Sequence, residues 1–285
     1  MDTLGDENTG FVMRRTLTRG SREVELMGRL HVDSFMQNRL LPNGVDTKIR
    51  MVRSKDDFAL MGAQVAPGCR IVIQAISLYV RKVKLNPQVQ MGHIKAWEKG
   101  TAKFPMSRVD CKSFSITAGT LSHTHENLFM GAIPKRVFLM MIDNVAYNGD
   151  STRNPFDARH NDINFLTLVV DGRQVPSKPL QPDFPRTRYV RSYMNLFEAT
   201  GKAAEDEGND LSRTDFGAGY TIFGFDLTPD GCNGDHFNVV RQGTVGAEMH
   251  FRTPLPRPMN VVVYAEFETV MEIDRTRNVL YDCTS

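Results

Sequence analysis

The residues of this sequence best suited to chemistry lie between Gly119 and Glu126, in the order GTLSHTHE. His123 and His125 stand at i and i+2, so on a strand both would point the same way. With Glu126 directly behind them they could hold a divalent metal through two imidazoles and a carboxylate. The competing reading of the same stretch is a polar loop or the start of a short helix, and we favour it. Asp157, His160 and Asp162 sit in and beside the Asn154 to Asn161 loop without any recognisable ligand spacing, and they receive no role. A nucleophile elbow, a P-loop, GxGxxG and HExxH are all absent. The last group is the acidic row Glu266, Glu268 and Glu272, in PMNVVVYAEFETVMEID from Pro258 to Asp274. Every second residue there (Val261, Val263, Ala265, Phe267, Met271, Ile273) is apolar, interrupted by Thr269, and the carboxylates fall on the other side. That is the period of a strand with one dry face. The carboxylates are expected to form an outward wall, facing solvent or a neighbouring subunit. No catalytic, cofactor-binding or metal residue is assigned, and the chain is not expected to be an enzyme.

The elements that must carry these residues are mostly strands. Glu23 to Asp33 alternates, with Val24, Leu26, Gly28, Leu30 and Val32 on one side. A second strand is expected at Thr47 to Arg53, after the Pro42-Asn43-Gly44 turn signal. A third is expected at Cys69 to Leu85, with Val72, Ile76, Leu78 and Val80 on one face. At Asn86 the period changes. Asn86 can cap, Pro87 suits a first helical turn, and Met91, Ile94 and Trp97 recur at helical spacing. Beyond this helix, strands are expected at Val109 to Thr117, Arg136 to Asn144, Ile163 to Asp171, Tyr220 to Leu227, Thr244 to Arg252 and the Pro258 to Asp274 stretch. Tyr189, Tyr193, Leu196 and Phe197 mark a second helix that Gly201 can end. The connections Tyr147 to Asp162, Gln174 to Arg188 and Lys202 to Arg213 are expected to be exposed or subunit-contacting. Many strands with long irregular connections indicate an antiparallel sandwich or jelly roll.

Composition narrows the classes further. Thirty-five Lys and Arg against 33 Asp and Glu give a balance of +2, so charge names no nucleic-acid partner. Arg14-Arg15 and Arg186 with Arg188 read as solvated faces or subunit contacts. Cys69, Cys111, Cys232 and Cys283 lie far apart, without metal-ligand spacing, and read as thiols rather than disulfides. The start, MDTLGDENTG, is acidic and polar, unlike a signal peptide. Apolar runs such as Val137 to Ile142 are too short to span a bilayer, which takes roughly 20 residues. A protein made soluble inside the cell, without a membrane span, is expected.

Two resemblances follow. His123, His125 and Glu126 resemble the metal motif of cupins, although there the Glu lies several residues beyond the second His. A later histidine in matching context is also not found at His160, His236 or His250. The wider likeness begins in the carboxyl-terminal third. Tyr220-Thr-Ile-Phe-Gly-Phe-Asp-Leu-Thr-Pro-Asp230, His236-Phe-Asn-Val-Val-Arg-Gln-Gly243, Asn260-Val-Val-Val-Tyr-Ala265 and the run from Ile273 to Leu280 carry it. This series resembles the double-jelly-roll major capsid proteins of Polinton (Maverick) elements and adintoviruses, and more distantly those of nucleocytoplasmic large DNA viruses. Glu23 to Asp56, Ser77 to Leu85, Lys112 to Ile116, Glu126 to Phe129, Asn154 to Phe156 and Val170 to Val175 extend the likeness over nearly the whole chain.

The resemblance implies an all-β double jelly roll with two short helices. Family members carry about half a chain more before Thr9-Gly10, so the first barrel is expected to be incomplete at its N-terminus. The expected division is a disordered N-terminus at 1–10, closing strands of the first jelly roll at 11–86, a linker helix at 87–100 and a second jelly roll at 101–285. It implies a structural capsid protein forming homotrimeric, pseudo-hexameric capsomers in the shell of a virion. Neighbouring capsomers, penton and minor capsid proteins would be its partners. Two alternatives stand beside it: a cupin-like metal-dependent enzyme using His123, His125 and Glu126, and a single-jelly-roll vertex (penton) protein.

Overall fold

A computed structural model describes residues 4, 8–62, 68–206, 208–231 and 236–281. Cys232 and Cys283, and most of the segment expected to be disordered at 1–10, lie outside the described residues. Nine strands are described: β1 (Ala102–Ile116), β2 (Ser122–Ala132), β3 (Arg136–Asp143), β4 (Ile163–Val170), β5 (Arg173–Leu180), β6 (Ile222–Asp226), β7 (Gln242–Phe251), β8 (Met259–Ile273) and β9 (Val279–Tyr281). They form two sheets. One runs β1-β8-β3-β6 with β9 added to β8, and the other runs β2-β7-β4-β5, with every pairing between named strands antiparallel. Among the first eight in chain order, every connection crosses from one sheet to the other except the β4–β5 hairpin. That strand order is a jelly roll, two Greek keys folded face to face. The chain is thus all-β, and its last two thirds form one complete barrel.

Inward side chains of both sheets fill the space between them. Val137, Leu139 and Met141 of β3, Leu166 and Leu168 of β4, Val245, Ala247 and Met249 of β7, and Val261, Val263 and Ala265 of β8 are all buried together. The expected dry face of Pro258 to Asp274 is therefore the wall of this core. α5 (Val190–Ala199), the second expected helix, lies across β6. Its approach requires Gly224, because a Cβ there would come within 2.8 Å of the Ala199 Cβ and 3.1 Å of the Leu196 Cα. Phe216, carried by α6 (Arg213–Gly217), plugs the region between Tyr189, Tyr193 and Phe223.

The first expected helix is also present. α3 (Pro87–Trp97) is capped by the Asn86 side chain, which accepts from the Gln88 N–H, and has Pro87 in its first turn. Ahead of it the chain departs from expectation. Thr9 opens α1 (Thr9–Thr18), and α2 (Asp56–Ala59) makes a short turn. The strands expected at Glu23 to Asp33, Thr47 to Arg53 and Cys69 to Leu85 carry no ladder, and no strand is described before Ala102. A strand exists only as a member of a pair, and alternation in one segment supplies no partner. These residues instead leave Leu26, Val52, Ile76 and Tyr79 at 89%, 81%, 67% and 81% exposure.

The same third of the chain is nonetheless tied to the barrel. Leu41 and Val45 pack against Phe104, Met106, Met271 and Ile273, a small second core where β1 begins and β8 ends. The Asp33 carboxylate accepts the β1 edge N–H of Val109 at 3.3 Å. Phe58 meets Phe156 edge-on at 5.9 Å, and the Gly62 N–H donates to the Ser151 carbonyl at 2.8 Å. Trp97, on the expected helix, lies under the Arg277 guanidinium at 3.8 Å.

Candidate functional site

GTLSHTHE is neither a loop nor a helix start. It is the approach to β2 and its first residues, and the period of that strand decides what the histidines can reach. His123 and His125 both turn into the sandwich and stack on Phe114 of β1, at ring-centroid distances of 5.3 and 4.2 Å. Their own rings stand 6.1 Å apart. Glu126, the next residue, falls on the other side of the strand and is exposed. The structure brings the two histidines together and leaves the carboxylate out. Burial, and then the neighbouring His125, pulls the basicity of His123 below the ordinary imidazole value, and its Nε2 is buried without a hydrogen-bond partner. Among the described residues, no group of three or more His, Cys, Asp or Glu could hold a metal ion. A half-buried aromatic stack can fill the mouth of a sandwich; it offers no proton-transfer relay.

The residues of the Asn154 to Asn161 loop do not converge either. His160 lies flat on Phe184 at 4.1 Å, and its Nδ1 accepts the Asp162 N–H at 3.0 Å. Burial is the main cause holding its basicity down, partly offset by the Asp162 charge. Asp157 is paired with Arg159 at 2.8 Å.

The acidic row of β8 differs from the outward wall expected of it. Glu268 is 10% exposed; it receives Lys135 Nζ at 2.9 Å and the Asn238 N–H at 2.6 Å. Glu266 faces Arg136 at 3.8 Å, and Glu272 takes Lys103 at 3.4 Å together with the Thr101 hydroxyl. The Thr101 hydroxyl is the main reason that the Glu272 carboxyl is held below its ordinary range. These carboxylates tie the β2–β3 connection, the loop before β7 and the start of β1 to the barrel wall. The signal for this was present in Lys135-Arg136, basic residues at the head of a strand that pairs with β8.

Two basic residues of β1 lie against aromatic rings of the core. Arg108 and Lys112 lie over the rings of Phe267 and Phe129, at 4.5 and 4.7 Å, along the β1 side of the sandwich. Lys112 also reaches across the open side to donate to the Leu128 carbonyl of the other sheet at 3.1 Å. A cavity of about 330 Å³ lies where α5 meets β5 and β6, bordered by Val175, Pro176, Met194 and Phe225. Its Arg191 guanidinium is spent on the Lys178 and Pro179 carbonyls, and the Asn195 amide donates to the Gly224 carbonyl. Glu198 and Asp226 also border it, and the Asp226 carboxylate accepts the Thr228 N–H and hydroxyl. Arg186 pairs with Asp183 at 3.5 Å, and no helix of the described chain is long and apolar enough to cross a membrane.

With this geometry in place, the comparisons with known proteins are as follows. The uncharacterized protein F54H12.2 of Caenorhabditis elegans is 32% identical over 186 residues, which cover 63% of this chain and 44% of that protein. The chain spans less than half the length of that relative. No family model matches the chain. Among solved structures, a chain of the Sputnik virophage particle is similar at a TM-score of 0.42 and 14% identity, over 65% of this chain and 39% of its own. PBCV-1 VP54, fitted into a Sputnik reconstruction, gives 0.42 and 8% over 70% and 55%. The mavirus major capsid protein gives 0.37 and 12% over 65% and 42%. The assignment of a jelly roll rests on the strand order itself.

Proposed function

We propose that the chain is a structural capsid protein of the double-jelly-roll kind, similar to the major capsid proteins of Polinton (Maverick) elements and adintoviruses. The observation that carries the reading is where the motif series falls. Tyr220 to Asp230 contains β6, His236 to Gly243 leads into β7, Asn260 to Ala265 lies in β8, and Ile273 to Leu280 forms the turn into β9. Two segments of the likeness thus lie on β6 and β8, and the other two lead into β7 and β9, in chain order. On this reading residues 101–285 are one barrel, 87–100 the linker helix, and 11–86 strands of another barrel. The stacked His123, His125 and His160 serve packing, and the carboxylates of Glu266, Glu268 and Glu272 serve pairing within the fold. Its work is geometric: rigid walls, with loops meeting neighbouring subunits, in homotrimers that tile the shell of a virion beside penton and minor capsid proteins. Obligate interfaces of that kind bury roughly 2,000 Å² or more.

A second reading has one observation in its favour, since the only barrel among the described residues is single. A vertex protein built on one jelly roll would assemble as a fivefold ring. Light scattering on purified full-length protein separates the two, by a mass of three chains against five. Electron microscopy of concentrated samples for closed shells tests the capsid role itself; a stable monomer that forms no shells would overturn it.

A further inference from the structure

Residues 69–85 run CRIVIQAISLYVRKVKL, extended and without a ladder. Ile71, Val72, Ile73, Ile76, Leu78, Tyr79 and Val80 are all exposed, and they lie on both alternating faces. A stretch apolar on both faces is the mark of a strand covered on both. Its charges, Arg70, Arg81, Lys82 and Lys84, are all positive.

The barrel has four sheet edges, and three are guarded. β5 carries Pro176 and Pro179, β1 carries Pro105 with Lys103 and Arg108, and the short β6 is packed by α5. β2 contains neither proline nor lysine. The Leu121 carbonyl accepts from the Phe251 N–H at 2.8 Å, so the odd-numbered residues of β2 turn their main chain toward β7. Ser122 and Thr124 therefore turn N–H and C=O toward the free side, whereas past His125 a bulge turns the Glu126 carbonyl toward Gly246 of β7. Farther along, Lys112 blocks the edge at Leu128. What stays open is Ser122 to Thr124, with half-buried Phe114, His123 and His125 on its inner side and the carboxylates of Glu126 and Glu248 outside.

The segment is held away from the β2 of its own copy. The Asp56 carboxylate accepts the Ile71 N–H at 2.9 Å, and Arg53 donates to the Ile71 carbonyl at 3.1 Å. That turn docks through Phe58 and Gly62 on the loop after β3 and α4 (Asn144–Asn148), beside the five-stranded sheet, whereas β2 belongs to the other. We propose that residues 69–85 add as a strand to the free edge of β2, along Ser122 to Thr124, in a second copy of this chain. Main-chain hydrogen bonds supply the attachment. The apolar faces meet the open mouth beside Phe114, and the basic end meets Glu126 and Glu248. The inference rests on reading residues 11–86 as strands short of partners; it does not depend on the capsid role.

The test uses the full chain, its association followed by sedimentation from about 1 to about 50 μM. Ile76→Lys charges an exposed position of the segment. Thr124→Pro removes an N–H that faces the free side and leaves the β7 ladder intact. Each is expected to weaken association about tenfold or more, with the barrel's thermal melt unchanged. Hydrogen exchange at 71–80 and 122–124 should slow as concentration rises. A chain monomeric throughout, or one whose association neither variant changes, would overturn the proposal. Loss with Ile76→Lys but not Thr124→Pro would overturn it as well, because the segment would then dock elsewhere. Shell formation in the microscope reports separately on the capsid role.

Discussion

β8 and residues 69–85 are two long, apolar-rich stretches of the chain, and they meet opposite fates. β8 has β1 and β3 on its two edges and the opposite sheet over its inner face, and Val261, Val263 and Ala265 are fully buried. In 69–85, Ile76 and Tyr79 stand at 67% and 81% exposure. Both have the composition of strands. The difference lies in what surrounds them: β8 is completed by segments before and after it, whereas 69–85 finds no such neighbours. The largest way to break the comparison is to separate the regions. A fragment spanning 87–285 should melt cooperatively by circular dichroism, within a few degrees of the full chain, and bind little dye that reports exposed apolar surface. A fragment spanning 8–86 should show no cooperative transition. A cooperative melt from that fragment would mean that it finds its own sheet.

The same contrast holds for single side chains. Phe223 is 2% exposed and meets Phe216 edge-on at 5.9 Å. Phe223→Ala should destabilise the barrel by about 3–5 kcal/mol. Val80→Ala removes an apolar side chain that is 63% exposed, and its effect in a monomer should stay within about 0.5 kcal/mol. Urea melts of both variants at low protein concentration give the comparison directly. Equal effects would show that 69–85 is already packed within one chain.

Glu268 lets the comparison be made between charges. Glu268→Ala leaves Lys135 Nζ and the Asn238 N–H without their acceptor in a half-buried place, and should destabilise by about 3 kcal/mol. In the N-terminal third, Arg53→Ala breaks an ion pair with Asp56 whose Arg side chain is 46% exposed. It should change stability by less than about 1 kcal/mol.

How much of this could be read beforehand follows the same physics. β3, β4, β6, β7 and β8 were legible because each alternates or runs apolar over a core. β1 was legible only in its second half; Lys103 and Arg108 hide the strand that Phe104 and Met106 begin. β2 was obscured because its inward positions are His123 and His125 rather than aliphatic residues, and a bulge between His125 and Phe129 breaks its register. β5 was obscured by two prolines, which an edge strand tolerates. The candidate metal cluster failed for the reason that made it attractive: residues at i and i+2 share a face, so the residue that follows must leave it. The acidic row was seen, but its partners were not, since Lys135 and Arg136 come from the head of another strand. For 69–85 the strand pattern was legible and the absence of a ladder was not, because pairing is a property of two segments and sequence displays one at a time.

The smallest expected effect is one of pH, and it concerns the barrel. His123 and His160, both in the barrel, have their basicity lowered chiefly by burial, so folding favours the neutral rings. An unfolded histidine takes up its proton near pH 6.5. The stability these two provide is therefore complete above that value and is lost as pH falls toward their lower folded values. Protonating His123 would place a cation beside His125 and against Phe114, with no carboxylate on the same face of β2. His123→Phe and His160→Phe should flatten the decline in barrel stability between about pH 6.5 and 5. Chemical denaturation at successive pH values decides it. If both variants keep the slope of the unaltered chain, the buried histidines are not its source.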